Sequence, residues 1–341
     1  MRNSPYQTGI TLIEIMIALL IGAFLVGGVL QIFIGSKQTY RMQEGLSRLQ
    51  ENGRFALDFL TNDIRMAGFM GCTSQATLTN TLNTPTSFLY NFGKAIEGFE
   101  STDASAWTPT IDAAITSPLG GSDVITIRRA DDQSFTVTTH ATSTDDLTLD
   151  ATATTANLRT AGFLTSAGAN NCTIAVVSDC SATAVFQVSA ITGSILSHNT
   201  GSGCTPDNLT NDLGKTYVNG QVYPINTVSY YIRTGSGGQP SLYRRIGSNA
   251  AEELVEGIEQ MQILYGEDTD PTPDGAPNYY VSANNVIDMT KIVSIRISLL
   301  AVTLDDNLAA EPLIYTYNGA TTPATDRKIR RVFNTTIAVR N

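Results

Sequence analysis

The hydrophobic pattern is most continuous near the amino terminus. Residues 10–34 form an apolar run of 25 residues that contains one ionisable side chain, Glu14. As a helix this run is about 38 Å long, enough to cross a bilayer with some tilt. A carboxylate within a membrane span costs roughly a few kcal/mol at depth, so Glu14 needs a functional reason. The pattern therefore predicts a membrane-spanning helix over residues 10–34, preceded by a short leader, residues 1–9.

The helical pattern continues beyond the apolar run. Apolar residues fall near one stripe with a period of 3.6, namely Leu46, Leu49, Ala56, Leu57, Leu60, Ile64 and Ala67. Charged residues decorate the remainder of this helix, from Arg41 through Asp58 to Asp63. We therefore expect an amphipathic continuation of the stem over residues 35–71, ending near Gly68 or Gly71.

Strand patterns occupy the rest of the chain unevenly. In residues 72–224 they are short and separated by stretches rich in Thr, Ser, Asn and Gly, with β-like runs at 123–128, 134–139, 173–177 and 184–191. In residues 225–341 they are clearer, with runs at 226–233, 241–246, 254–265, 291–304 and 329–340. The segment at 252–265 is ambiguous between helix and strand, and a strand after Gly257 is favoured only by the resemblance given below. We expect a variable, loop-rich β region followed by an antiparallel β region.

Composition agrees with an exported β-rich domain. The formal net charge is −10, so the chain as a whole repels nucleic acid and anionic lipid. Charged residues make up only 15% of the chain, which suits a domain with polar, uncharged turns.

The even number of cysteines indicates disulfides. Cys72, Cys172, Cys180 and Cys204 lie downstream of the apolar run, and two disulfides formed in an oxidising compartment would each contribute about 2–4 kcal/mol. Four cysteines permit three pairings. We favour Cys172–Cys180 as a local loop clip and Cys72–Cys204 as a tie between the stem and the domain. A zinc site is the alternative, but no CxxC spacing accompanies the two histidines.

A specific motif joins the leader to the apolar run. The residues Gly9-Ile10-Thr11-Leu12-Ile13-Glu14 resemble the class III signal peptide of type IV prepilins and type II secretion pseudopilins. The resemblance implies cleavage after Gly9 by prepilin peptidase, N-methylation of Ile10 and retention of the helix. The family usually has phenylalanine at the position of Ile10. An ordinary secretory signal is cleaved after its apolar core, whereas Gly9 precedes this one.

Glu14 is best explained by a role in assembly. Glu14 lies four residues after the new amine, and the carboxylate of one subunit could pair with the amine of a neighbour in a helical bundle.

The charges around the membrane span do not settle its orientation. Lys37 and Arg41 follow the span while Arg2 alone precedes it, so charge counting does not favour exporting the carboxyl-terminal side. The prepilin motif nevertheless implies a periplasmic domain.

A second motif narrows the family. Residues 50–72 resemble the corresponding helix of PilW minor pilins, through Arg54, Phe55, Ala56, Leu60, Asp63, Ile64, Arg65, Ala67, Gly68, Gly71 and Cys72. Residues 257–266, 293–300 and 331–341 resemble the carboxyl-terminal half of the same family.

One loop has a spacing that suits a metal. Asp270, Thr272, Asp274 and Gly275 match the opening of an EF-hand-like calcium loop, but Val281 stands where the closing glutamate belongs. The alternative, which we favour, is an acidic, proline-stiffened turn. We therefore expect no cofactor, with calcium as the possibility to test.

The remaining charged and polar residues give no catalytic site. The basic residues Arg327, Lys328, Arg330, Arg331 and Arg340 form a cluster that we assign to a solvated strand edge rather than to DNA binding. No G-x-S-x-G or HExxH motif occurs, so we expect a protein that is not an enzyme but the substrate of two.

Together these patterns predict an α+β fold of the type IV pilin kind. A long amino-terminal helix, membrane-spanning in its first half, would pack on a large antiparallel β-rich domain. The resemblance implies a minor pilin that starts in the inner membrane, with its domain in the periplasm, and reaches the pilus and cell surface. Its partners would be other minor pilins, the major pilin and prepilin peptidase. It would prime assembly at or near the tip, supporting adhesion, twitching or DNA uptake. The alternatives are a GspJ-like type II secretion pseudopilin and a tip adhesin that binds through residues 73–224.

Overall fold

The fold begins with one long helix. The structure, a computed structural model, describes residues 9–71, 77–103 and 105–339. Helix α1 (Leu12–Arg65) runs unbroken for 54 residues and is capped at its start by Thr11. It ends slightly earlier than expected, and Gly68 then adopts a φ of 80°, a left-handed conformation that suits glycine at a helix end. The predicted stem is confirmed as one continuous element.

A large β domain follows. In chain order, within the described residues, its strands are β1 (Thr77–Asn80), β2 (Ile96–Ser101), β3 (Trp107–Thr108), β4 (Val124–Ala130), β5 (Phe135–Thr139), β6 (Leu147–Leu149), β7 (Ile174–Ser178), β8 (Ala182–Gln187), β9 (Ala190–Thr192), β10 (Ile195–Ser197), β11 (Gln221–Thr234), β12 (Pro240–Ile246), β13 (Glu252–Glu256), β14 (Ile258–Glu267), β15 (Tyr279–Val281), β16 (Ile292–Val302), β17 (Ile314–Tyr317), β18 (Ala320–Pro323) and β19 (Arg330–Ala338). A short helix, α2 (Thr155–Thr160), lies between β6 and β7. The expected α+β class is confirmed.

The described strands form three sheets. The largest has 13 strands, with a central path β1-β8-β7-β11-β5-β6-β10-β9 from which β12, β13, β2, β3 and β4 branch. A second sheet has the order β15-β14-β16-β19, and β17 pairs with β18 as a hairpin. Strand β1 runs parallel to β8, whereas all other pairs of neighbouring strands among the described residues are antiparallel.

The carboxyl-terminal strands lie close to their expected positions. The run at 254–265 is divided by Gly257 into β13 and β14, so the ambiguous segment is a strand on both sides of that glycine. Gly257 has a φ of 74°, and a Cβ there would lie 2.7 Å from the carbonyl oxygen of Val302. The turn between β11 and β12 pairs Thr234 with Pro240, so the runs at 226–233 and 241–246 form a hairpin.

Two main cores lie within the β domain. The first is beneath α1 and combines apolar residues of the helix with the inward faces of β11, β14, β16 and β19. The second is formed by β5, β6, β7, β8 and α2 and includes the fully buried Phe163 and Phe186. The middle of the chain thus has a packed core of its own.

Strand β11 links the two regions. Its residues 221–224 pair with β7, and its residues 225–230 pair with β4. The strand therefore runs without interruption across the predicted division between residues 224 and 225, and that division stays a prediction.

Candidate functional site

The tip of the stem is ordered by Thr11 and Glu14. The backbone N–H and the Oγ1 hydroxyl of Thr11 both donate to Glu14 Oε2 at 2.9 Å, and the Glu14 N–H donates back to Thr11 Oγ1 at 3.4 Å. This reciprocal arrangement is a capping box, which satisfies two of the unpaired donors at a helix start. Gly9 and Ile10 lie exposed just before it. The motif residues therefore sit together at the free end of the helix.

Glu14 has a local role that the sequence reasoning did not include. Its contacts with Thr11 use Oε2 alone, and the residue is exposed. The same side chain can therefore cap its own helix while Oε1 faces outward. Pairing between Glu14 and the amine of a neighbouring subunit stays a prediction.

The apolar half of the stem is exposed. Along residues 12–34 the side chains are exposed, with values of 78% for Leu12 and 75% for Phe24. Within the part of the chain that the structure describes, α1 is the one helix long and apolar enough to cross a membrane. Such a surface requires lipid or other helices around it.

The second half of the stem is fixed to the domain by small residues. Ala56, Leu60 and Ile64 are fully buried against the first core. At Gly53 the absence of a side chain admits the ring of Phe333, since a Cβ there would lie 2.6 Å from Phe333 Cδ2. A glycine that lowers helix propensity by up to about 1 kcal/mol here permits close packing of helix against sheet.

A buried ion pair holds the last turn of α1. Arg129 Nη2 donates to Asp63 Oδ1 at 2.8 Å, and the Tyr230 hydroxyl donates to Asp63 Oδ2 at 2.6 Å. Burial, and then the Asp63 carboxylate, raise the pKa of Tyr230, so its hydroxyl remains protonated. The expectation that Asp63 decorates the helix surface is wrong: its exposed fraction is 8%.

The predicted motif of residues 54–72 divides into packing and exposed positions. Ala56, Leu60, Ile64 and Ala67 are fully buried, which accounts for four of its apolar positions. Arg54, Phe55 and Arg65 are exposed on the helix. Gly71 has a φ of 93°, and Cys72 lies outside the described residues.

The disulfide connectivity differs from the expected one. Cys172 is bonded to Cys204, with 5.6 Å between their Cα atoms. The preferred pairings Cys172–Cys180 and Cys72–Cys204 are therefore both wrong. Cys180 is also disulfide-bonded. Proximity along the chain was misleading, because Cys172 precedes β7 and Cys204 follows β10, and the sheet brings these ends together.

The candidate calcium loop has a different set of carboxylates from the expected one. Asp268, Asp270 and Asp274 place ligand oxygens within 4.8 Å of one another, so Asp268 joins the two expected aspartates. The Asp268 carboxylate accepts from the backbone N–H groups of Asp270 at 3.2 Å and Gly275 at 2.8 Å. These bonds are those of an acidic turn, and calcium binding stays a prediction.

The carboxyl-terminal basic residues do not act as one patch. Arg330 is nearly buried and donates to Glu259 at 2.7 Å and Asp326 at 2.7 Å. These two carboxylates raise the pKa of Arg330. Lys328 Nζ donates to Gln239 Oε1 at 2.6 Å, whereas Arg331 is exposed, and Arg340 lies outside the described residues. Arg330 is thus a structural residue of the β19 edge.

Comparison with known protein families assigns both ends of the chain. Residues 229–341 match the family described as type IV pilus-assembly protein W, PilW. Residues 4–30 match the prokaryotic N-terminal methylation motif. The carboxyl-terminal third of the chain is thus similar to PilW. No curated protein and no solved structure matches the chain.

The two matches together fit a PilW-like minor pilin of the type IV pilus, which is a structural family. The PilW domain begins within β11 and contains β13, β14, β16 and β19, the strands that contact α1. The family segment is therefore the part of the β domain that holds the stem. The methylation motif and the single apolar helix fit a membrane-anchored pilin.

Proposed function

We propose that this protein is a minor pilin that is cleaved between Gly9 and Ile10, methylated at Ile10 and assembled through its stem. The observation that carries the proposal is the exposed apolar half of α1, with Glu14 at its capped end, on a PilW domain. Before assembly, lipid covers this surface. After assembly, the stems of other minor pilins and of the major pilin cover it. Prepilin peptidase supplies both modifications.

The protein starts as a single-pass inner-membrane protein with its domain in the periplasm. The Cys172–Cys204 disulfide supports this location, because disulfides persist in oxidising compartments. With its partners it primes pilus growth and stays at or near the tip. Adhesion, twitching and DNA uptake are the activities that such a complex supports. The protein itself performs no catalysis.

Processing and assembly are separable by two substitutions. Gly9→Ala should leave the leader attached, since the peptidase would lose its cleavage residue, and the intact mass of the membrane-extracted protein reports this directly. Glu14→Ala should be inserted and cleaved normally but should copurify poorly with the other pilins. A matched control is Glu51→Ala, which removes an exposed carboxylate from the lower half of the same helix.

The outcomes decide the proposal. Normal cleavage of the Gly9→Ala variant would refute the cleavage site. Wild-type piliation with Glu14→Ala would remove the assembly role of that carboxylate. A chain that carries the wild-type motif but is recovered from the cytoplasm, uncut, would overturn the function as a whole.

A further inference from the structure

Three cations meet where the stem leaves the β domain. A cavity of about 500 Å³, here called the neck pocket, is lined by Ile34, Lys37, Gln38, Arg41, Asn307 and Arg327, together with two alanines of the adjoining loop. Ile34 is the last residue of the apolar run, so the pocket begins where the predicted membrane span ends.

The loop that completes the neck pocket is anchored to the stem. Leu308 is buried, and its Cδ1 lies 2.7 Å from the position that a Cβ would occupy at Gly45. This close approach needs a glycine in the helix. The side chain of Leu308 thereby anchors residues 305–310 beside α1. The loop that lines the pocket is therefore packed against the helix.

Arg327 is positioned in the pocket by its backbone. Its N–H donates to Asp306 Oδ1 at 2.9 Å, and its carbonyl oxygen accepts from the Ala309 N–H at 3.0 Å. Asn307, with a φ of 59°, makes the turn between these two contacts. Arg327 therefore lines the pocket together with Lys37 and Arg41 from a loop of defined shape.

No carboxylate among the described residues lines the neck pocket. Among the neighbouring acidic residues, Asp306 accepts backbone N–H groups, Asp326 pairs with Arg330, and Glu44 pairs with Arg48. Asp305 and Glu311 are exposed in the adjoining loop and do not line the pocket. None of the described ion pairs includes Lys37, Arg41 or Arg327. Three like charges converging on one cavity repel one another, and an anion between them relieves that repulsion.

The position along the helix indicates which anion. At 1.5 Å per residue, Lys37 and Arg41 lie roughly 5 and 10 Å beyond Ile34 along the helix axis. The headgroup layer on each side of a bilayer is roughly 5–8 Å deep, so Lys37 lies at the level of the lipid phosphates. Arg41 lies just beyond that layer, and its long side chain, which in a helix tilts toward the amino terminus, extends back to it. The net charge of −10 repels anionic lipid at a distance, but salt screens that repulsion beyond about 8–10 Å.

We propose that the neck pocket binds the phosphate of an anionic phospholipid headgroup while the protein is in the membrane. The lipid tails would lie along the exposed apolar surface of α1, and the phosphate would be held by Lys37, Arg41 and Arg327. This assignment also explains why cations follow the span, where charge counting does not favour export. It rests on the membrane-anchored state described above, and it adds a lipid ligand to that state.

Native mass spectrometry of the full chain in detergent tests the proposal. Phosphatidylglycerol and phosphatidylcholine of equal chain length are titrated against the wild-type chain and the variant K37Q/R41Q/R327Q. We expect the wild type to prefer phosphatidylglycerol and the variant to bind it at least about tenfold more weakly. The control R54Q/R65Q/R331Q removes three exposed cations that also belong to no described ion pair. It should retain the preference.

Several results would overturn the inference. The inference fails if the wild type binds the two lipids equally, or if the neck variant binds phosphatidylglycerol as the wild type does. It also fails if both triple variants lose the same amount of phosphatidylglycerol binding. Displacement of the lipid by excess inorganic phosphate would show a site for free phosphate instead. A neck variant that keeps lipid binding but no longer copurifies with other pilins would assign the pocket to a protein partner.

Two further measurements keep these outcomes interpretable. The single variant Arg41→Gln alters an exposed helix position and leaves the Leu308 loop intact, so its weaker lipid binding would not reflect misfolding. Membrane insertion and leader cleavage are measured on the same samples. A wild-type chain that inserts and is cleaved without lipid preference refutes only the neck pocket, whereas a chain that does not insert refutes the proposed function.

Discussion

Asp63 illustrates what one residue contributes at the end of the stem. Its carboxylate is shared between Arg129 near the end of β4 and Tyr230 in the middle of β11. An aspartate near the end of an amphipathic helix normally faces solvent, and nothing local to its sequence distinguishes it from Asp58. Its burial depends on partners 66 and 167 residues away. A residue of this kind becomes recognisable only when the fold has brought those partners together.

Asp123 is a second buried carboxylate, and it connects two sheets. Its Oδ1 accepts from the Ser101 N–H at 3.0 Å at the end of β2, and its Oδ2 accepts from the Ile263 N–H at 2.8 Å in β14. Burial, assisted by the nearby Glu100, raises the pKa of Asp123 to about 7. The folded protein therefore binds this proton more tightly than the unfolded chain, in which an aspartate has a pKa near 3.9.

This linkage gives the stability a defined pH dependence. Because the pKa is higher in the folded state, the contribution of Asp123 is fully present below about pH 4 and is lost as the pH rises toward 7. Asp123→Asn fixes the neutral form. We expect the free energy of unfolding of the variant, relative to wild type, to rise by on the order of 2–4 kcal/mol between pH 4 and pH 8.

Trp107 allows the measurement in the full chain. It is the single tryptophan, and its Nε1 donates to the carbonyl oxygen of Ser122 at 2.9 Å, next to Asp123. Denaturant titrations in detergent, followed by its fluorescence, report unfolding near the site. Asp132→Asn, an exposed position, should leave the pH dependence unchanged. Parallel curves for wild type and Asp123→Asn across this pH range would contradict the assignment.

At the scale of elements, the contact between α1 and β19 depends on Gly53. Gly53→Ala would place a methyl group against the ring of Phe333, which must shift. We expect the free energy of unfolding to fall by about 1–3 kcal/mol, because overpacking outweighs the gain in helix propensity. The same Trp107 fluorescence titration measures the change.

Gly35→Ala is the matched control on the same helix. A Cβ at Gly35 meets nothing within 4 Å, so this substitution should change the stability of the β domain by less than about 0.5 kcal/mol. If the two variants behaved alike, the effect would belong to helix propensity and not to the packing of α1 on the sheet.

The elements differ in how far their sequences could predict them. The stem and the strands β11, β12, β14, β16 and β19 were predictable because each has a long run with a clear period of 3.6 or 2. Strands β15, β17 and β18 have only three or four residues and were not predicted. The strands β6, β9 and β10 have three residues each, too few for a period to emerge. Strand β1 was missed for another reason: it pairs in parallel with β8, about a hundred residues later. Such a pairing depends on contacts in the assembled sheet, and neither segment alone indicates it.

The candidate site shows the same division. Gly9, Ile10 and Glu14 form a contiguous motif, so their grouping was visible in the sequence, although the capping role of Glu14 toward Thr11 was not. The neck pocket combines the end of the apolar run with a loop almost 300 residues later. In the sequence, Lys37 and Arg41 stand out only as an exception to the charge rule for membrane spans. Arg327 lies next to a different set of basic residues, Lys328, Arg330 and Arg331.

At the scale of the whole molecule, the disulfides can be used to test the proposed transfer of the β domain across the membrane. The Cys172–Cys204 bond closes a loop with a sequence separation of 32 that contains β7 to β10, and such a bond contributes about 2–4 kcal/mol. Among the described residues there is no free cysteine. Cys180 is also disulfide-bonded.

Peptide mapping under non-reducing conditions tests this connectivity. Protein extracted from the membrane should yield a linked peptide pair containing Cys172 and Cys204 and should show Cys180 in a second disulfide, with no thiol alkylated before reduction. The double variant C172S/C204S should keep Cys180 in a disulfide and unfold at a lower denaturant concentration, because its unfolded state loses one constraint. A Cys172–Cys180 peptide pair, or four alkylated cysteines in exported protein, would contradict the connectivity. Chain retained in a reducing cytoplasm should instead show all four thiols, so the same experiment links oxidation of the domain to its transfer across the membrane.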